Sequence, residues 1–211
     1  MFLSEDDERR TRRTLEAIRE NLSLRVYSDL PQGSLTQATL DLVDYTVSLS
    51  PENLNRDLLP LASGMLDPTT TIVSESRGVF GVRFSGTPSG MEYTALIEAL
   101  LTFGQSPTAT APPISSWLAQ IQHPVQAQIF VSPTCMRCPH VVAMAIQFAR
   151  LQPLISANII QVDQFPATGQ QHHVLGVPTT WCEPGPYVFT GMPAPEYFAA
   201  YLIQASTSAA P

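Results

Sequence analysis

Cys135 and Cys138, in the stretch "TCMRC", are the residues of this 211-residue chain whose type and spacing could do chemistry. A pair spaced C-x-x-C can form a redox couple, clamp a metal ion or pack. Haem attachment would need His directly after Cys138, yet Pro139 stands there and His140 comes one place late. Zinc could draw on Cys135, Cys138, His172 and His173, but adjacent histidines rarely converge on one ion and no second C-x-x-C exists. A structural pair stays open beside the redox reading, and the histidines otherwise read as surface residues.

Placement favours redox chemistry. "AQIFVS" before the motif reads as a strand and Met136 to Leu151 as a helix. Cys135 then sits where unpaired backbone N–H groups and the positive end of a helix dipole stabilise a thiolate. That lowers a thiol's pKa, and only the thiolate attacks a disulfide. Arg137 adds a positive charge, and Cys138, one helical turn on, can reach back to Cys135. Pro139 fits a first helical turn, where its missing N–H is not needed. Cys135 is the expected attacking thiol and Cys138 the resolving one. Cys182 falls in a strand and reads as a small buried hydrophobe.

The chain around this motif is 44% hydrophobic with a formal charge of -7. The acidic balance argues against nucleic acid as a partner, and no apolar run approaches the roughly 18 residues of a membrane span. The N-terminus, "MFLSEDDERRTRR", leads into no apolar signal core, so a cytoplasmic protein is expected. In that reducing compartment a C-x-x-C is more often catalytic or metal-binding than a staple. Eleven of the 29 charged Asp, Glu and Arg residues fall in residues 1–20, Lys is absent, and only five charged residues follow Ser106. The first segment reads as an amphipathic helix that docks through Leu15, Ile18 and Leu22. The sparse charge near the motif fits either a face covered by partners or a polar, uncharged surface.

An internal repeat organises the elements. "PTTT" from Pro68 is echoed by "PTT" from Pro178, and "VRFSGTPSGMEY" from Val82 by "YVFTGMPAPEYF" from Tyr187. The second copy reads β-α-β-α-β-β-α, and the first gives a similar string: strand "LRVYS", helix Leu35 to Leu49, strands "TTIVSE" and "GVRFSG", and a helix from Met91 to Phe103 closed by Gly104. The fold class expected is α/β, as two related units with mixed sheets. The divisions are 1–22 for a charged helix, 23–105 for a unit without cysteines, 106–123 for a linker beginning "SPTATAPPIS", and 124–211 for the unit with the C-x-x-C.

"SPTCMRCPHVV", with "GVPTTW" forty residues later and "RFSGTPSGMEYTALIEALL" in the first half, resembles tandem thioredoxin-fold proteins. The arrangement is similar to the N-terminal domain of the alkyl hydroperoxide reductase F subunit and to archaeal protein disulfide oxidoreductases. The resemblance implies two fused thioredoxin-like folds, each a three-layer α/β/α unit, of which only the second carries the redox pair. Pro178 would match the family's cis-proline, with its backbone beside Cys135 and pairing with an extended substrate segment; Pro68 would be its degenerate counterpart. A first half without cysteine departs from the archaeal proteins and agrees with the reductase. Glu92 matches a position where the inactive fold directs a glutamate toward the redox site, and a carboxylate there could shuttle a proton. A Glu in a helix's first turn is also favoured by the dipole alone, so both readings stand.

No G-x-G-x-x-G is present, so no cofactor is expected and electrons should come from a separate protein. The function expected is a dithiol–disulfide oxidoreductase relaying electrons between a thioredoxin-reductase-like flavoprotein and a peroxiredoxin or another protein disulfide. A disulfide oxidase or isomerase, and a non-enzymatic metal-binding adaptor, are the alternatives.

Overall fold

The structure, a computed structural model, describes residues 3–105, 113–185 and 187–208. Helix α1 (Glu5–Leu15) starts where Ser4 Oγ accepts the Asp7 amide, with four acidic residues in the first turn and Arg12 and Arg13 in the last, matching the helix dipole. It ends at Leu15. The Ile18 amide turns back to the Leu15 carbonyl at 2.9 Å, and the Arg19 amide leaves the ladder for the Gly104 carbonyl at 2.7 Å. Leu15, Ile18 and Leu22 are all buried, as the sequence implies, but they sit on a helix end, a turn and the start of strand β1 (Leu22–Tyr27) rather than on one helix.

The first unit continues with α2 (Ser34–Leu49), β2 (Leu54–Leu59), β3 (Thr69–Ser74), β4 (Gly78–Ser85) and α3 (Met91–Gly104). Its order is therefore β-α-β-β-β-α: strand β2 is an element that the sequence reading lacked, and no helix follows it as one does in the second unit. Residues 60–68, "PLASGMLDP", carry two prolines and a glycine and form turns. The second unit is preceded by a single helical turn, α4 (Ser115–Leu118), and follows the expected order: β5 (Val125–Val131), α5 (Cys138–Leu151), β6 (Ile155–Gln161), α6 (Pro166–Gln171), β7 (Thr179–Glu183), β8 (Tyr187–Thr190) and α7 (Pro195–Thr207). Residues 106–112 of the expected linker lie outside the described residues. Within 113–123, Leu118 and Ile121 are buried. No helix among the described residues is long and apolar enough to cross a membrane.

The strands form one eight-stranded sheet in the order β2-β1-β3-β4-β6-β5-β7-β8. Each unit supplies four strands in the same internal order, its first two parallel and the later pairs antiparallel. The units join through parallel pairing of β4 with β6, from Val82 opposite Ala157 to Ser85 opposite Ile160. Ser85 Oγ donates to Asn158 Oδ1 at 2.9 Å across this seam. Helices α3 and α5 pack together over it, with Gln147 Nε2 donating to Thr102 Oγ1 at 3.2 Å. A buried apolar cluster runs through both units, including Leu24, Phe84, Leu100, Ile146, Ile159 and Leu202.

The repeat is real down to single hydrogen bonds. Thr69 Oγ1 donates to the Leu66 carbonyl (2.6 Å) and meets Ser85 Oγ (3.0 Å), while Thr179 Oγ1 donates to the Gly176 carbonyl (2.7 Å) and meets Thr190 Oγ1 (3.1 Å). Gly86 and Gly191, at φ 90 and 86, donate their amides to the carbonyls of Pro68 and Pro178, each at 2.8 Å.

Phe84 is 1% exposed beside the seam, and Phe84→Ala should lower the unfolding free energy by about 3–5 kcal/mol. The shift should appear in urea as one transition at a lower midpoint, reported alike by circular dichroism and tryptophan fluorescence. Two separate transitions would show that the units do not share a core.

Candidate redox site

The C-x-x-C lies beyond the carboxyl end of β5. Cys135 and Cys138 are joined in a disulfide with their Cα atoms 5.5 Å apart. Cys138 is fully buried as the first residue of α5, while Cys135 is partly exposed and precedes the helix's N-cap, Arg137. The helix thus begins two residues later than Met136, because residues 136 and 137 form a turn. The electrostatic contact expected of a helix start is nevertheless present: the Cys138 amide, which has no acceptor inside the helix, donates to Cys135 Sγ at 3.1 Å. Pro139 occupies the first turn, and Arg137 and Met136 are exposed, the latter 76%.

Three bonds fix the loop before Cys135. The Cys135 amide donates to the Ser132 carbonyl at 3.0 Å, Ser132 Oγ donates to Asp163 Oδ2 at 2.7 Å, and the Met91 amide of α3 donates to the Pro133 carbonyl at 2.9 Å. Strand β7 runs antiparallel to β5, with Thr179 opposite Phe130, so buried Pro178 lies at the same end of the sheet. The Val177–Pro178 and Asp67–Pro68 peptide bonds are both cis. Pro178 has no amide hydrogen, and its carbonyl is engaged by the Gly191 amide.

Residues 125–203 match the family model of the thioredoxin domain. The F subunit of alkyl hydroperoxide reductase from Xanthomonas campestris pv. phaseoli is 26% identical over 170 residues, which cover 79% of this chain and 31% of that protein. The NTD N/C domain of alkylhydroperoxide reductase AhpF from Enterococcus faecalis (V583) superposes with a TM-score of 0.85 at 18% identity, covering 95% of this chain and 99% of that one. A protein disulfide oxidoreductase from Aeropyrum pernix k1 gives 0.83 at 22%, covering 99% and 95%. The chain is a tandem thioredoxin-fold protein. It resembles the N-terminal domain of AhpF, and it spans about a third or less of the length of the curated relatives it matches. The arrangement of its second fold is that of a thioredoxin-like disulfide oxidoreductase.

In this tandem thioredoxin-fold protein Glu92, in the first turn of α3, is fully buried. Neither carboxyl oxygen has a hydrogen-bond partner among the described residues, so it does not cap its own helix, and burial pushes its pKa up to about 8. Cys182 is fully buried in β7, opposite Ala127 and Tyr187, with a thiol pushed by burial to about 12. His172 is half-buried rather than at the surface: Nδ1 lies 3.0 Å from the Thr168 carbonyl, and the ring lies tilted against Phe130 and edge-on to Trp181. No group of three or more metal-ligating side chains gathers among the described residues, so Cys135, Cys138, His172 and His173 do not come together there. Ser132, Asp163 and Gly90 were missed from the sequence, where nothing local marks a residue that acts by touching a distant loop.

Glu92 carries a pH dependence of stability. Its folded pKa lies above the ordinary 4.5, so its contribution is complete below that value and is lost as pH rises toward about 8. Unfolding free energy of the wild type should therefore fall relative to Glu92→Gln between about pH 5 and 8, with a slope approaching 1.4 kcal/mol per pH unit. Parallel curves would mean the carboxyl is ionised in the fold.

Cys182 should be dispensable. The folded protein should resist alkylation there, and Cys182→Ala should keep disulfide reductase activity to within about tenfold, or 1.4 kcal/mol of barrier; a larger loss with the fold intact makes it a participant.

Proposed function

We propose that the chain relays electron pairs in the cytoplasm between a thioredoxin-reductase-like flavoprotein and a peroxiredoxin, as one step of peroxide detoxification. The observation that carries this reading is the asymmetry of the pair: a partly exposed Cys135 whose Sγ receives the Cys138 amide, above a Cys138 with no exposed surface. In the reduced protein the same amide would stabilise a Cys135 thiolate. That thiolate attacks the partner's disulfide, forming a mixed disulfide and releasing one partner sulfur, which takes a proton. Cys138, deprotonated, then attacks Cys135 Sγ, closes the internal disulfide and frees the partner's second thiol. Two electrons leave the dithiol, and the flavoprotein returns them.

Glu92 is assigned the proton that Cys138 gives up and regains. Support comes from its burial and raised pKa, and from its place on the helix whose first amide bonds the loop before Cys135. Pro178 is assigned to the partner-binding edge. Since it has no amide hydrogen and its carbonyl already accepts the Gly191 amide, pairing with an extended partner segment falls to the backbone of Val177. The boundaries at 23–105 and 124–211 remain the proposed division of the two folds.

The test is a mixed-disulfide trap. Cys138→Ser, expressed in the native cell, should capture a peroxiredoxin or a flavin-dependent disulfide reductase in a complex released by dithiothreitol, and Cys135→Ser should capture neither. A broad set of newly made chains would favour a disulfide oxidase or isomerase. No captured protein, with about one zinc per purified chain, would replace the relay with the metal-binding adaptor.

A further inference from the structure

We propose that Gly90 is a positioning residue of the redox site: it lets the cysteine-free fold press the start of α3 against the Pro133 carbonyl and so fixes the loop that carries Cys135. This rests on the redox reading above. Gly90 is the N-cap of α3 at φ 61, ψ -131, a region essentially closed to residues with a side chain. A Cβ built there would stand 2.5 Å from the Pro133 carbonyl oxygen, 3.0 Å from Pro133 Cβ and 3.1 Å from the carbonyl carbon. Two of these three atoms are backbone and the third belongs to a rigid ring, so no side-chain rotation relieves the clash.

Other glycines lack this combination. Gly64, Gly78 and Gly191 also have positive φ, but nothing lies within 4 Å of a Cβ built on them. Gly86, at φ 90, meets first the end of the Gln164 side chain, which can move. Gly90 alone among the described positive-φ glycines faces backbone of the redox loop.

The contact is also a bond. The Met91 amide, the first of α3 and without an acceptor inside its helix, donates to the Pro133 carbonyl at 2.9 Å. From the other side Asp163 holds Ser132 at 2.7 Å. Pinned at 132 and 133, the loop leaves Cys135 little freedom, and the 3.1 Å approach of the Cys138 amide to Cys135 Sγ inherits that placement. Moving Pro133 should change how well the amide stabilises the sulfur, and with it the balance between dithiol and disulfide.

The experiment compares the full chain, Gly90→Ala and Gly78→Ala. The second variant also places a side chain at a positive φ, but where nothing lies within 4 Å of the added Cβ. The disulfide's equilibrium constant against dithiothreitol is read by alkylation, and hydrogen exchange of the Met91 amide is followed in the unmodified protein. Gly90→Ala should shift the constant at least about fivefold, some 20 mV for a two-electron couple, while Gly78→Ala stays within about twofold. The Met91 amide should be protected. An unchanged constant in Gly90→Ala, or a Met91 amide exchanging as in an unstructured chain, overturns the proposal. If Gly90→Ala does not fold, Met91 protection alone decides it. If the unmodified protein cannot be cycled by dithiothreitol, the redox reading fails by itself. The Cys135 alkylation rate in Gly90→Ala then decides positioning, a changed rate supporting it and an equal one overturning it.

Discussion

Parallel pairing of β4 with β6 is the constraint on which the site depends. Since β6 is also parallel to β5, three adjacent strands from two folds end on one edge, and the loops that leave them are forced together. The loop after β4 carries Thr87 and Gly90 and leads into Met91, the loop after β5 carries Ser132 and Pro133, and the loop after β6 carries Asp163 and Gln164. Their bonds interlock: Gln164 Oε1 accepts the Thr87 amide at 2.8 Å, Asp163 accepts from Ser132, and Met91 donates to Pro133. Sites at the carboxyl ends of parallel strands are a general consequence of α/β geometry. Here the geometry also recruits a fold with no cysteine of its own.

Duplication explains what that first fold kept and what it changed. It retains the cis proline, the threonine–serine clasp and the positive-φ glycine after its fourth strand. The loop after its first strand carries no cysteine: Ser28 is hydrogen-bonded to Thr36 at 3.0 Å, and Asp29 donates its amide to Asp67 Oδ2 at 3.1 Å and accepts the Leu61 amide on Oδ1 at 2.9 Å. That loop is tied to residues 61 and 67. The fold's contact with the redox loop is made by the start of α3.

Features set by local chemistry were legible in the sequence. The C-x-x-C, Pro139 at a helix start and the duplicated Phe-(Ser/Thr)-Gly segment each carry their meaning within a few residues. Strand β2 was not legible because "LNRDLL" lies at the sheet edge, where half its side chains meet water and no apolar alternation is needed. The spacing of Leu15, Ile18 and Leu22 imitated a helix because a helix end, a turn and a strand start can present the same burial. Gly90 and Pro133 are 43 positions apart; their contact exists only because two sheets fused, and a single sequence holds no trace of that register.

Glu92 shows the same limit in electrostatic terms. A first-turn glutamate reads identically whether it faces water beside its helix dipole or is sealed into a core, and the two cases have opposite acid strengths. Sealed without a hydrogen-bond partner among the described residues, its carboxyl is held at about 8. A carboxyl that titrates near neutral pH can both take and return a proton there, which is the condition under which general acid–base exchange is efficient. In the proposed cycle the cysteine-free fold would therefore contribute through both residues at the start of α3: Gly90 by holding a backbone in place, and Glu92 by keeping a proton exchangeable at the pH where thiols ionise.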